Sequence, residues 1–95
     1  MTDGRPTLPD GLTVVRTTPE FGATTMPEGL RRSHQVAEGT WGRLRVLAGQ
    51  VHFVFEAPQE AAFVLGPGDE LAIPPHRLHH VEPADDARFV VDFLR

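Results

Sequence analysis

Three of the chain's five histidines fall within five residues: His76, His79 and His80 in IPPHRLHHVEP, Ile73 to Pro83. Imidazole binds metals and moves protons near neutral pH, so the spacing of these rings decides what chemistry is open to them. His76 and His80 are four apart, as two ligands on one helical face would be. Pro83 would end such a helix within two turns, and so short a helix is marginal, so a turn leading into a strand reads better. In a strand, neighbouring side chains point to opposite faces. His79, which shares a face with Val81, and His80, which shares one with Leu78, therefore cannot both look into one interior. Spacing alone leaves open which of the pair belongs to an interior site.

The elements that must position these rings read as strands. WGRLRVLA alternates, with Leu44 and Val46 on one face and Arg43 and Arg45 on the other. VHFVFE follows after a short glycine-containing connection, and the pair reads as a β-hairpin. AAFVL, LAI, LHHVEP and ARFVVDFL continue the series, divided by APQE, GPGDE and ADD. Upstream, GLTVVRTT is a further strand, and LPDGL and MPEGL are β-turn sequences with Pro at i+1 and Gly at i+3. No window after Trp41 keeps a helical period, so the class is all-β.

Ninety-five residues, 40% apolar and 23% charged, make one domain over 1–95, with 1–7 expected as a flexible tail. Without cysteine there are no disulfides or thiolate sites, so a metal ligand must be histidine or carboxylate. The nine basic residues are all arginine, too thinly clustered for nucleic acid, and net charge is −4. MTDGRPTLPDG shows no leader pattern and no stretch has the length of a membrane span, so the expected location is cytoplasmic.

GDELAIPPHRLH resembles the second motif of the cupin superfamily: glycine, five residues, proline, one residue, glycine, two residues, histidine. His76 stands where that family has its second glycine. The resemblance implies a small β-barrel with His79 pointing inward as a metal ligand, His76 in the tight turn and His80 outside. In the first cupin motif Gly49 can play the closing glycine, Gly42 stands at the glutamate position, and only His34 lies near the expected histidines. A narrower match runs from Leu8 to Leu94, most specifically in GTWGRLRVLAG and HHVEP. It is similar to the small cupin family related to tellurite-resistance protein B, whose domain occurs alone or ahead of a methyltransferase. The match implies a single cupin-like barrel (double-stranded β-helix or jelly roll), with His34, His79 and Glu82 as metal ligands. It also implies a setting of tellurite, other oxyanion or nitrosative stress; methyl transfer is not implied.

The ion would be divalent: zinc, iron, nickel or manganese, with copper also open to imidazole. Firm binding needs at least three protein ligands, and Glu82, Asp92 and Glu38 compete for the third place. Glu82 is three from His79 and would face away in a regular strand, so it serves only where the strand bulges or ends, as Pro83 allows. Asp92 lies among apolar residues and must reach water or a partner. Trp41 reads as a barrel-end plug, His52 as a solvated residue, and Arg43 and Arg45 as a solvated face able to clamp an acidic ligand. Two alternatives to the metal site are a metal-free pocket lined by Trp41, Phe53, Phe55 and Phe89, and a homodimer formed through a strand edge or RFVVDFL. The expected partners are a second copy and a small-molecule or oxyanion ligand.

Overall fold

The computed structural model describes residues 5–32 and 35–95. Eight strands follow in order: β1 Val14–Thr17, β2 Phe21–Gly22, β3 Trp41–Ala48, β4 Val51–Phe55, β5 Ala61–Leu65, β6 Glu70–Ile73, β7 His79–Pro83 and β8 Arg88–Leu94. The MPEGL turn forms a 3-10 turn over Glu28–Arg31, opened by the Leu30 N–H donating to the Pro27 carbonyl at 3.0 Å. Among the described residues no helix is long and apolar enough to cross a membrane.

The domain is all-β and its strand ladders are antiparallel. The larger sheet has the order β1-β8-β3-β6, with β2 also on β8, and the smaller sheet has β5-β4-β7. The closed barrel expected from the sequence is not what the ladders form: no strand pairing among the described residues joins the two sheets. Their inner faces meet in one core, where Leu44, Val51, Phe53, Phe55, Leu65 and Phe89 lose all solvent contact.

Alternation along β3 is as the sequence indicates, with Gly42, Leu44 and Val46 buried and Trp41, Arg43 and Arg45 half-exposed on the other face. Its pairing is not. β3 lies between β8 and β6, whereas β4 pairs with β5 and β7, so the expected β3–β4 hairpin is a crossing between sheets. A period of two identifies strands and their faces but carries no information about partners. β4 and β5 form a true hairpin, with Phe53 opposite Phe63. Trp41 sits on the outer face of the larger sheet opposite Leu94, not at the end of a barrel. Arg5 lies over the Phe63 ring at 5.6 Å, and Pro6, Thr7 and Leu8 run beside Arg43, Glu70 and Ala72.

Two turn residues carry the backbone into the left-handed region for different reasons. Gly49, at the β3–β4 crossing, has φ +67°, and a Cβ there would stand 2.6 Å from Asp86 Oδ1 and 2.8 Å from Ala87 Cα. His76, at the position of the cupin glycine, has φ +64° and is held there as its N–H donates to the Val36 carbonyl at 3.0 Å. A side chain with φ in this range costs about 1–3 kcal/mol. Gly49→Ala is therefore expected to lower unfolding free energy by about 2–3 kcal/mol in a denaturant titration. Gly39→Ala, at φ +78° in open space, should cost only about 1 kcal/mol. His76→Gly should have the opposite sign, raising stability by about 0.5–1 kcal/mol because the strain leaves with the side chain.

Candidate functional site

β7 resolves the choice that spacing leaves open. His79 and Val81 face the core, each 2% exposed, while His80 and Glu82 face out. The His79 ring stacks on Phe53 at 5.0 Å and meets Phe55 edge-on at 6.3 Å. Its Nδ1 lies 3.0 Å from the Arg77 carbonyl. A carbonyl can only accept, so Nδ1 carries a proton and donates it. The ring borders an internal cavity of about 40 Å³, which Phe53 shares with Thr18, Val36, Ile73 and Phe93 among others. Of the aromatic set expected to line a pocket, Phe53 alone borders this cavity, and Trp41, Phe55 and Phe89 do not.

The structure does not bring the proposed third ligands to His79. Glu82 leaves the opposite face of β7 and accepts from His80 at 2.7 Å. Glu38 lies exposed in a turn before β3. Asp92 is bound elsewhere, and His34 lies outside the described residues. Gly42, at the glutamate position of the first cupin motif, packs tightly against Ile73: a Cβ there would stand 3.2 Å from both Cβ and Cδ1 of that side chain. Among the described residues no group of three His, Asp or Glu side chains is placed to hold an ion. Among the described residues His79 shares this cavity with hydrocarbon side chains and the Thr18 hydroxyl.

Val36 and Phe93, which border the cavity, also border an open pocket of about 560 Å³ at one end of the sandwich. Arg16, Gln35, Thr40 and Arg95 are its polar lining, with Val15 and Ala37 beside them. The Arg16 guanidinium lies over the Phe93 ring at 4.7 Å, and Arg95 Nε donates to Thr40 Oγ1 at 3.2 Å. Both cations are thus held by neutral groups, whereas Arg43 and Arg45 pair with Asp92 and Arg88 with Glu20. No acidic side chain is among the described residues lining the pocket. Nothing local in the sequence joins this pair, because Arg16 and Arg95 lie at opposite ends of the chain. An arginine inside the apolar VVRT strand was the only local signal.

Asp92 on β8 is 1% exposed. It accepts from Thr17 Oγ1 at 2.7 Å, from Arg43 Nε and Arg45 Nε at 2.8 Å, and from Arg45 Nη2 at 3.0 Å. Burial pushes its carboxyl up, but the hydrogen bonds from Arg45, Thr17 and Arg43 outweigh this and hold it at about 2. On the outer face of the smaller sheet, His80 contacts Glu56 through Nδ1 and Glu82 through Nε2, each at 2.7 Å. Glu56 foremost, then Glu82, holds the ring above its ordinary 6.5 against the cost of partial burial.

A family model described as the TehB-like domain matches residues 16–91. An Escherichia coli K12 protein solved as a structural-genomics target superposes with TM-score 0.85 at 25% identity, covering 95% of this chain and 96% of that one. TehB from Haemophilus influenzae superposes with TM-score 0.81 at 25% identity, over 87% of this chain but only 31% of that protein. KdgF from Halomonas sp. shares the fold alone, with TM-score 0.52 at 20% identity over 95% of this chain and 84% of that one. A comparison with curated protein sequences gives no match.

The Asp92 cluster has a definite signature in acid. A carboxyl depressed from 3.8 to about 2 contributes stability that is full above pH 3.8 and lost as pH falls through 2, amounting to about 2 kcal/mol. Denaturant midpoints measured from pH 5 to pH 1.5 should fall by that amount. Asp92→Asn should cost about 3–5 kcal/mol at pH 7, since it leaves two guanidinium groups facing a neutral amide. The variant should lose the steep fall below pH 4.

Proposed function

The chain belongs to the TehB-like family, and on that premise we propose that it is a small-ligand-binding domain. Its ligand is a small oxyanion held at the open end of the sandwich by Arg16 and Arg95. One observation carries this reading: two guanidinium groups, positioned by a ring face and a hydroxyl, line a pocket with no acidic side chain among its described residues. Arginine offers planar, permanently charged donors that match the oxygens of a carboxylate, tellurite or phosphate-like group. Phe93 and Val36 form an apolar back wall, which strengthens such contacts by excluding water on one side. The association of the family with tellurite resistance agrees with an oxyanion ligand.

Trp41, the single tryptophan, is next to Thr40 in the pocket lining and so reports on its occupancy. Titration of the untagged protein with tellurite, selenite, sulfate and phosphate, followed by tryptophan fluorescence and calorimetry, should show saturable binding of at least one oxyanion. Arg16→Ala and Arg95→Ala should each weaken it by about tenfold, the worth of one partly solvated charge-assisted contact. Both variants should keep the wild-type melting temperature. No saturation at millimolar anion, or equal binding by the two variants, would remove this reading.

A further inference from the structure

Where β4 runs out into its loop and the β6–β7 connection passes beside it, the surface holds a second pocket of about 350 Å³. It shares no lining residue with the pocket of Arg16 and Arg95. Glu56 and Arg77 are its charged lining, and Pro58, Pro74, Pro75 and Leu78 supply apolar wall. The Glu56 N–H donates to the Leu78 carbonyl at 2.9 Å, which extends the β4–β7 ladder by one step. That bond sets Glu56 beside the residue that follows Arg77, although the two are far apart in the chain. A pocket of this volume is of the size that small molecules occupy.

The two charges are held by third parties and not by each other. The Arg77 guanidinium lies over the Phe55 ring at 3.8 Å, and its Nη2 donates to the Gln59 carbonyl at 2.8 Å. Glu56 accepts from His80 Nδ1 at 2.7 Å. Among the described residues no ion pair joins Arg77 to Glu56, although both line one pocket. A cation and an anion are thus fixed on its wall with a gap between them. A guanidinium stacked on a ring still offers planar donors to a carboxylate. A carboxylate with one oxygen engaged still has lone pairs for a further donor. A ligand with its own carboxylate and its own ammonium satisfies both groups. A simple anion would meet Glu56, and a simple cation Arg77, as a like charge.

His76 adds a second observation. It lines the same pocket with its backbone at φ +64°, where glycine would be free of strain. Strain of this kind gathers at sites where the side chain takes part in binding. We propose that the pocket binds a free amino acid with an apolar side chain, as its zwitterion. The carboxylate pairs with Arg77 and the ammonium with Glu56. The apolar side chain lies against the prolines and Leu78, with the exposed His76 at the rim.

Calorimetric titration of the untagged chain with L-alanine, L-proline, L-valine and L-leucine tests it. Saturable binding of at least one of them, at one per chain, is expected. The amide and the N-acetyl form of that amino acid each lack one charge and should bind about tenfold more weakly. Glu56→Gln and Arg77→Gln should each weaken the free amino acid by about tenfold. In Arg77→Gln the amide should bind as well as the free amino acid, and in Glu56→Gln the N-acetyl form should do so. Loss of fold would not produce that pattern. His76→Gly should weaken binding while raising the melting temperature. Arg16→Ala should leave binding unchanged, which separates this pocket from the oxyanion pocket. No saturation by any of the four at about 10 mM would overturn the proposal. So would undiminished binding of both blocked forms, wild-type affinity in both Glu56→Gln and Arg77→Gln, or loss of binding in Arg16→Ala.

Discussion

A carboxylate buried in the middle of a sheet cannot remain there without partners, because the cost of drying it exceeds what one neutral hydrogen bond returns. Asp92 is such a group, and its partners come from both neighbouring strands, Thr17 on β1 and Arg43 and Arg45 on β3. A one-residue slip of either strand would turn those partners to the opposite face. The interaction therefore selects the register of the larger sheet. That register in turn places Phe89, Val91 and Phe93 toward the core and lets Arg16 lie across Phe93.

The interior created by this arrangement is small and almost wholly hydrocarbon. Ile73 packs closely on Gly42, and Phe53 and Phe55 close on His79. His79 is accommodated there with its Nδ1 beside the Arg77 carbonyl and the Phe53 and Phe55 rings packed against it. Charged chemistry is consequently displaced outward, to the arginines at the open end and to Glu56 and Arg77 beside the smaller sheet. Both lie where water remains available to share the cost of charge.

Both positions also share a construction principle. In each, the reactive side chain is oriented by a neighbour chosen by strand register and not by sequence proximity. Thr40 orients Arg95, Phe93 orients Arg16, and His80 orients Glu56. A site assembled this way tolerates substitution of its orienting residue with a loss of affinity before a loss of fold.

From the sequence alone, the all-β class and most strands after Trp41 were legible, because alternation and turn residues are local. β3 and β5 begin and end where WGRLRVLA and AAFVL do, and β4 stops one residue short of the end of VHFVFE. The resemblance to the motif placed His76 in a tight turn, and the structure adds that its backbone there is left-handed. Alternation required His79 and His80 to face opposite ways, and the resemblance to a known motif, not the spacing, indicated which faced in. The sheet partners were not legible. The crossing after β3 looks like a hairpin because a short glycine connection serves either purpose, and only the packing of two inner faces decides between them. Nor could chain order show that Arg16 meets Arg95 at one pocket, or that Glu82 stands across from His52. Those neighbours are set by long-range strand pairing, whose energy lies in contacts between segments far apart in the chain.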